Sequence, residues 1–403
     1  MTIDSLAERP SHVAIEQTVD FDFFEPPGVE RDFQASWRTL QEPGVPDVVW
    51  TPYNGGHWIA TRGDLVQEVF SDYEKFSNRV VTIPKERGEH YRMLPTTLDP
   101  PEHRPVRSLL NRNLSPAAVN RQIEMIRSIC IELIEEVKPR GRCDLLKDFA
   151  AHFPIRVFMH MVNLPREDAP KMKYWTDQVV HPDGSMTLEE VMQSFHDYLE
   201  PVVRERQGKG GEDVLSDIVN AEIKGRQLTM EEMLNLLMQF MMGGLDTVYN
   251  LLAYSFLFLA RNPGHRQQLL DDPELIPGAV NELLRRFPLV SMAREVRNDI
   301  EWHGASLKKG DMIICASPLV GNDERLNPDP MNVDFRRKRG HHATFGMGQH
   351  ICPGAHLARV EMRITLAEWL ARIPHFDVAP DTDIVMRGGI VGSMDSLPLI
   401  WAA

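Results

Sequence analysis

FGMGQHICPG, residues 345–354, is the stretch of sequence that decides the fold. Its cysteine, Cys352, lies just before the start of a predicted helix, where unpaired N–H groups and the helix dipole favour a thiolate over a thiol. Gly346, Gly348 and Gly354 allow backbone conformations and close contacts that a Cβ would block. A flat cofactor can therefore lie against this loop with the sulfur directed at its metal. The alternative interpretation is a core cysteine in a glycine-rich turn.

A long apolar helix is predicted upstream of this loop. It begins at Thr229, where Thr229 and Glu232 form a capping box, and it ends at Asn262-Pro263-Gly264. About 33 residues at ~1.5 Å per residue make a helix of roughly 50 Å, long enough to cross the whole molecule. The helix is apolar on nearly all sides, so we expect it to be buried on nearly all sides.

The middle of this helix reads GGLDT, residues 243–247. Two glycines in a helix interior cost about 1 kcal/mol each relative to alanine, which indicates a local kink or the close approach of a ligand. Asp246 and Thr247 place an acid beside a hydroxyl in apolar surroundings. Two interpretations follow: a packing defect in which Thr247 bonds back to the preceding turn, or a pair that delivers protons.

The next helix carries Glu282 and Arg285, which share a face and can form an ion pair. Such a pair is most often solvated. After this helix the pattern changes to short strand-like runs, and a last helix follows Gly354. The chain is therefore predicted to be mainly helical with a small β portion. Cys130, Cys143 and Cys315 have neither zinc-site nor disulfide spacing and are expected to be small buried hydrophobes.

The charge of the chain disfavours two classes of partner. Its 403 residues carry a net charge of −14, which disfavours general binding to nucleic acid or to an anionic membrane. The N-terminus lacks the basic and apolar regions of a signal peptide, and Asp246 in the longest apolar stretch argues against a lipid-spanning helix. We therefore expect a cytoplasmic protein. Residues 1–20 are polar and are expected to be disordered.

Residues 345–354 resemble the haem-binding signature of the cytochrome P450 family, which has Phe, Gly, a basic residue, Cys and Gly at these spacings. His350 stands where Arg is commoner. The resemblance covers about residues 70–402, and stretches such as 243–250, 282–287 and 356–359 look like the bacterial camphor 5-monooxygenase family. It implies a mainly α fold with a minor β region, a long central helix over the haem, and one haem-thiolate monooxygenase domain over residues 21–403.

The resemblance gives roles to the residues around the cofactor. It implies that Cys352 is the axial ligand of haem b iron, that O2 is the co-substrate, and that Asp246 and Thr247 deliver protons during oxygen activation. Glu282 and Arg285 would tie the core to the loop that bears the ligand, a structural role.

Further basic residues are implied around the haem and the acid. His103 and Arg107 lie four apart on one predicted helical face, and cationic or N–H donors suit the haem propionates. By resemblance the set of cofactor-binding residues is completed by Arg294, His350 and Phe345. Lys173 and His181 lie roughly where relatives hold the acid with basic partners, so they are expected to gate Asp246.

The substrate implied by the resemblance is a compact, apolar terpenoid ketone. Tyr91 matches a tyrosine that donates a hydrogen bond to the substrate carbonyl. The pocket departs from the camphor pattern, and Met292 stands where the family has a propionate-binding aspartate. This favours an ionone-type norisoprenoid, with a camphor-like bicyclic ketone as the alternative. The expected pocket residues besides Tyr91 are Thr82, Met93, Gln239, Met242, Val248, Val290, Ile390 and Val391.

Electrons must come from outside, because the chain has no flavin or iron–sulfur motif. The resemblance implies a [2Fe–2S] ferredoxin with an NADH-dependent ferredoxin reductase, and a monomeric oxygenase. Ferredoxins are acidic, so a basic docking surface is expected. Its predicted residues are Arg104, Arg336, Arg337, Lys338, Arg339 and Arg359. The alternative for residues 336–339 is a solvated basic turn.

Two other functions remain open on the sequence. A haem-thiolate sensor or carrier would keep Cys352 but would have no use for Asp246 and Thr247. A peroxide-driven haem enzyme usually replaces the acid–alcohol pair, so the retained pair argues against it.

Overall fold

The structure is a computed structural model that describes residues 6–89, 92–180 and 184–402. Helices make up about half of these residues and strands a much smaller part, and the predicted mainly α fold with a minor β region is confirmed. The α-helices are α1 (Phe33–Arg38), α2 (Gly63–Ser71), α3 (Lys85–Glu89), α4 (His103–Asn113), α5 (Pro116–Asn120), α6 (Ile123–Val137), α7 (Phe153–Met161), α8 (Ala169–Val180), α9 (Leu188–Arg206), α10 (Val214–Val219), α11 (Met230–Arg261), α12 (Pro263–Asp271), α13 (Ile276–Arg286), α14 (Pro318–Gly321) and α15 (Ala355–Arg372).

The β portion contains a five-stranded sheet in the order β1-β2-β10-β7-β3 and a three-stranded sheet in the order β11-β14-β4. Three further pairs, β5–β6, β8–β9 and β12–β13, are two-stranded. The strands are β1 (Val48–Thr51), β2 (His57–Ala60), β3 (Phe76–Ser77), β4 (Arg142–Asp144), β5 (Glu222–Ile223), β6 (Arg226–Gln227), β7 (Ser291–Val296), β8 (Ile300–Trp302), β9 (Ala305–Leu307), β10 (Met312–Ala316), β11 (Asp377–Val378), β12 (Met386–Arg387), β13 (Ser393–Met394) and β14 (Pro398–Ile400).

Helix α11 is the long helix that the sequence predicts. The Thr229 hydroxyl accepts from the Glu232 N–H at 3.2 Å while the Glu232 carboxylate accepts from the Thr229 N–H at 2.8 Å, so the predicted capping box is present. Asn262 is the C-cap, as predicted. The helix continues without a break through Gly243 and Gly244.

Contacts along α11 join the helical layer to the rest of the molecule. The Phe256 ring meets the Trp369 ring of α15 edge-on at 5.0 Å, and the Tyr254 hydroxyl donates to the Ser393 carbonyl of β13 at 3.2 Å. The helix that follows the cysteine loop and the strands near the C-terminus are thereby fixed on the same central helix. None of the helices in the described ranges combines the length and the apolar character needed to cross a bilayer.

The N-terminal segment differs from the expectation of disorder. The Ala7 N–H donates to the Pro52 carbonyl at 2.8 Å, and the Val19 N–H donates to the Trp50 carbonyl at 2.9 Å. Val13 is buried in the main core. Residues 6–20 therefore lie along strand β1, because a few apolar side chains reach the core from an otherwise polar segment. Residues 1–5 lie outside the described residues.

His57 of β2 gives the fold a testable dependence on pH. Its side chain is buried with the Phe23 ring edge-on at 5.7 Å, and burial lowers the pKa of His57 to about 3. Histidine in an unfolded chain titrates near ~6.5. Below that pH the unfolded chain takes up a proton that the folded protein cannot, so this stability is present above about pH 6.5 and is lost as the pH falls towards 3.

Between pH 7 and pH 4.5 the free energy of unfolding falls in both proteins. We expect the fall to be about 2.5 kcal/mol smaller in His57→Leu than in the wild type, because about two pH units below ~6.5 contribute ~1.36 kcal/mol each. Urea unfolding at the two pH values measures the difference. His375→Leu makes the same change at an exposed histidine and serves as the control. An acid-induced loss in His57→Leu as large as that of the wild type would contradict the assignment.

Candidate active site

The cysteine loop is a tight turn whose glycines are required by its backbone. Gly346 and Gly348 have φ of +67° and +64°, in the left-handed region. A Cβ on Gly348 would also stand 3.0 Å from the Ser71 Cα of α2. The Cys352 N–H donates to the Phe345 carbonyl at 2.7 Å and closes the loop. Cys352 is thus held at a fixed position three residues before α15.

The electrostatics of Cys352 differ from the sequence prediction. Burial raises the pKa of the Cys352 thiol, and the opposing effects of the Gly354 N–H and of the Arg107 and Arg359 charges are smaller. The Gly354 N–H at the start of α15 acts in the predicted direction, towards the thiolate, but desolvation is the larger effect. A bound metal cation would reverse this balance, since a coordinating thiol loses its proton.

Four basic residues meet beside this loop. The His103 and His350 rings lie 4.1 Å apart, and Arg107 and Arg294 are buried with them. Burial, and then the neighbouring His103, Arg294 and Arg107, lower the pKa of His350 to about 3. Burial, and then Arg107, lower the pKa of His103 to about 4.

The donors of this cluster lack anions. His103 Nε2, His350 Nε2 and Arg294 Nε are buried and have no hydrogen-bond partner among the described residues. Buried polar nitrogens need partners, and carboxylates would accept from Arg294 Nε and from each imidazole nitrogen that carries a proton. Arg107 donates to Asn111 at 2.7 Å and to the Ile351 carbonyl and so also holds the cysteine loop, whereas Arg294 Nη1 donates to the Ala293 carbonyl at 2.7 Å. The cluster fits the propionates of a haem.

Strand β7 places the predicted apolar residues next to this cluster. Val290, Met292 and Arg294 share one face, because side chains alternate along a strand. The Ser291 N–H donates to the Ile390 carbonyl at 2.9 Å, and Val290 pairs with Val391 across an antiparallel bridge. The predicted pocket residues Val290, Ile390 and Val391 are therefore brought together.

The other predicted pocket residues lie on two elements. The Ala293 N–H of β7 donates to the Val81 carbonyl at 2.9 Å, which puts the neighbouring Thr82 beside the same strand. Thr82 Oγ1 and Gln239 Oε1 are buried and have no hydrogen-bond partner within the described ranges. Met93 is half-buried and lies in a turn closed by Thr97, whereas Tyr91 lies outside the described residues. On α11, Gln239, Met242 and Gly243 share a face, whereas Val248 lies nine residues after Gln239 and so falls on the opposite side of the helix, away from the other predicted pocket residues.

The middle of α11 is open beside its glycines. No other described side chain or backbone atom lies within 4 Å of a Cβ built on Gly243, and only the Phe158 ring, at 4.0 Å, approaches one on Gly244. This open space beside Gly243 and Gly244 is consistent with the predicted close approach of a ligand to the helix. Asp246 is buried one turn further, and the Thr247 hydroxyl donates to the Gly243 carbonyl at 3.4 Å. That hydrogen bond is long, so the hydroxyl can also serve a ligand.

The predicted gate on Asp246 is only partly described. His181 lies outside the described residues. Lys173 donates to the Asp177 carboxylate, four residues on along α8, and its Nζ lies 5.1 Å from the centre of the Tyr249 ring of α11. Lys173 therefore stands against α11 one turn from Asp246, with Asp177 as its ion-pair partner.

Glu282 and Arg285 form a buried structural pair. Arg285 Nε and Nη2 donate to the two Glu282 oxygens at 2.8 Å each, and both side chains are almost fully buried. Arg285 also donates to the carbonyls of Gly321, Pro330 and Asn332. A second arginine, Arg337, donates to Glu282 at 3.0 Å. The solvated alternative is wrong, because the pair joins α13 to the chain leading to the cysteine loop.

The predicted docking residues fall into two groups. Arg337 is not a free surface cation, because its side chain is only 14% exposed and is bonded to Glu282. Arg359 is half-buried with its guanidinium 4.5 Å from the centre of the Phe345 ring, so both residues support the cysteine loop. The exposed members, which we call the basic surface, are Arg104, Arg336, Lys338 and Arg339.

Sequence reasoning missed two carboxylates near the site, Asp99 and Glu295. Each accepts hydrogen bonds from residues far along the chain, Arg297 for Asp99 and Arg79 for Glu295. No motif or spacing in the sequence marks either of them, because their partners are defined only by the sheet.

The site described above has the parts of a haem-thiolate oxygenase. It holds a cysteine in a tight loop, basic residues that suit the propionates, and an acid beside a hydroxyl on an open helix. The cytochrome P450 family model matches residues 185–387. A probable cytochrome P450 127A1 from Sinorhizobium fredii is 32% identical over 402 residues, 98% of this chain and 97% of that protein. The chain belongs to the cytochrome P450 family.

Two solved structures are similar along their whole length. CYP101J2 is 45% identical with a TM-score of 0.93, and CYP101C1 is 37% identical with a TM-score of 0.92; in each comparison the match covers 98% of this chain and 100% of the other. They confirm the predicted closeness to the camphor-type bacterial enzymes. The protein is a monooxygenase of this family, which uses haem b and O2. Haem with a thiolate ligand supplies the activation of oxygen.

Proposed function

We propose that the protein hydroxylates a compact, apolar terpenoid ketone, an ionone-type norisoprenoid or a camphor-like bicyclic ketone. The observation that carries this proposal is the apolar wall where strand β7 meets residues 390 and 391. Val290, Ile390 and Val391 offer no hydrogen bonds from their side chains. Sites for small ligands combine such walls with a few placed polar groups, and the predicted pocket residues Thr82 and Gln239 have buried oxygens without a hydrogen-bond partner among the described residues.

The methionines favour a substrate less rigid than camphor. Met93, Met242 and Met292 are half-buried, and unbranched thioethers adapt to irregular ligands. With Tyr91 assigned to the substrate carbonyl, the substrate would be held by one hydrogen bond and otherwise by shape. The acid and hydroxyl of Asp246 and Thr247 hold and pass protons to oxygen at the open face of α11.

Addition of β-ionone or camphor to the ferric haem protein is expected to shift the Soret band towards the high-spin form, because the ligand displaces water from the haem. We expect tighter binding of β-ionone. Titration by absorption, followed by product analysis with an electron supply, tests the proposal. Limonene, an apolar terpenoid hydrocarbon that carries no carbonyl, serves as the control ligand. Failure of both ketones to shift the band would contradict the substrate class.

We propose further that electrons come from a [2Fe–2S] ferredoxin with its NADH-dependent reductase, and that the ferredoxin docks on the basic surface. Arg104 lies one turn before Arg107, which donates to the Ile351 carbonyl next to Cys352. Exposed cations beside the ligand loop give an acidic partner a short path to the cofactor. Arg336 is in addition 3.6 Å from Asp272, whereas Lys338 and Arg339 are exposed.

The double change Arg104→Gln and Arg339→Gln is expected to raise the KM for ferredoxin about fivefold at low salt, because steering by charge is lost. The effect should shrink as the salt concentration rises. Arg204→Gln, which removes an exposed arginine of α9, is the control. Equal KM values for the double variant and the control at low salt would rule out this docking surface.

A further inference from the structure

The segment that carries the pocket residue Thr82 is held to strand β7 through one carboxylate. Glu295 of β7 accepts from Arg79 Nε at 2.6 Å and from Arg79 Nη2 at 2.5 Å, and it accepts from Lys85 Nζ at 3.0 Å. Its side chain is only 12% exposed. Arg79 precedes Thr82, and Lys85 opens α3 after it. The Glu295 carboxylate therefore bonds one residue before and one residue after Thr82, the predicted substrate contact.

The environment of Glu295 keeps it charged. Burial would raise the pKa of Glu295, but the hydrogen bonds and charges of Arg79 and Lys85 outweigh it and hold the pKa below its ordinary value. Lys85 also donates to the Gly310 carbonyl at 2.9 Å, and Arg79 donates to Glu89 at 3.3 Å. The Arg79–Glu295 ion pair is thus bidentate and partly buried, and such a pair is stronger than one between two exposed side chains.

The far end of the same segment is fixed to the same part of the sheet. Asp99 accepts from the Ser77 hydroxyl at 2.5 Å, from the Asn78 N–H at 3.0 Å and from Arg297 at 2.5 Å. Arg297 directly follows β7. Residues 79–89 and 92–99 therefore begin and end at attachments to the same strand, and Thr82 and Met93 lie between the two attachments in sequence.

Strand β7 also carries the haem side of the site. Arg294, the neighbour of Glu295, belongs to the donor cluster that fits the propionates, and Val290 and Met292 share the face of Arg294. We propose that Glu295 is a positioning residue for the substrate, which sets the distance between the segment bearing Thr82 and the haem side of the pocket. This inference rests on the proposed function only in taking Thr82 and Met93 as substrate contacts.

The test uses the haem-loaded ferric protein and the ligand 4-phenylimidazole, which binds haem iron and fills apolar space but carries no carbonyl. In Glu295→Gln we expect faster hydrogen exchange at residues 79–89 and binding of 4-phenylimidazole weakened about fivefold, since a neutral amide cannot hold both cations. The carbon monoxide spectrum should be unchanged. Arg79→Gln removes the other partner and should reproduce both effects if Glu295→Gln folds poorly.

The control is Glu368→Gln, which removes a carboxylate that is likewise only 12% exposed and is paired with two cations, Arg127 of α6 and Arg372 at the C-terminal end of α15. It should leave the exchange at residues 79–89 and the binding of 4-phenylimidazole unchanged. Unchanged exchange in Glu295→Gln would overturn the inference. Faster exchange with unchanged binding would also overturn it, because the network would then be structural only. Because 4-phenylimidazole is not a ketone, a wrong substrate class would leave these outcomes intact.

Discussion

Cys352→Ser is expected to abolish both monooxygenase activity and the strongly red-shifted absorption of the reduced carbon monoxide complex. Both depend on a thiolate, whose electron donation to iron favours cleavage of the O–O bond. Serine has nearly the same shape, so the Phe345 carbonyl can still accept from the backbone N–H of residue 352. The variant therefore tests the sulfur and not the loop. Activity should fall by at least ~10³-fold, the range in which removal of a principal catalytic group lies.

The measurement is the reduced, carbon monoxide-bound spectrum, together with product formation and the haem content of the purified protein. Cys143→Ser, which changes a buried cysteine of β4, is the matched control and should keep the red-shifted band. A Cys352→Ser protein that holds haem and hydroxylates at the wild-type rate would refute the assignment of the ligand.

Thr247→Ala is expected to separate consumption of NADH from formation of the alcohol. The Thr247 hydroxyl bonds the Gly243 carbonyl only at 3.4 Å, so its proton is available to oxygen bound beside the open glycines. Without this group, proton delivery from Asp246 is misdirected and reduced oxygen leaves as hydrogen peroxide. We expect alcohol per NADH to fall about tenfold or more, in line with the usual contribution of a positioned proton donor.

Parallel assays of NADH, hydrogen peroxide and alcohol measure this partition. Thr247→Ser retains a hydroxyl on the same turn and should restore most of the alcohol yield. An unchanged alcohol yield in Thr247→Ala would show that the hydroxyl takes no part in proton delivery, and it would favour a haem-thiolate protein that does not activate oxygen.

Local features of the site could be predicted because they depend on residues within a few positions of each other. The capping box of Thr229 and Glu232, the loop glycines at 346 and 348, and the pairing of Glu282 with Arg285 all follow from one helical turn or one tight turn. The family resemblance adds the prediction of a haem b cofactor, and the comparisons confirm that prediction.

The predictions that differ from the structure concern the burial of side chains, which a local sequence pattern does not determine. Arg337 belongs to a charged run and was predicted to lie on a docking surface, yet it bonds Glu282 across 55 positions of sequence. The pKa of Cys352 is raised because desolvation exceeds the effect of the nearby N–H and cations. Both outcomes depend on which distant residues exclude water from the side chain.

The sequence by itself determined the class of protein and the helical character of the chain, and it predicted the positions of Cys352 before the last helix and of Asp246 and Thr247 on the long helix. These depend on residue types at short spacings and on helix periodicity, which a linear pattern contains. Only the tertiary structure decided that residues 6–20 pack on β1, that Arg337 is internal, and that Glu295 joins the Thr82 segment to the haem side of the pocket. The physical reason is that packing brings together residues as far apart as Arg79 and Glu295, and their contacts and desolvation exist only once the sheet has formed.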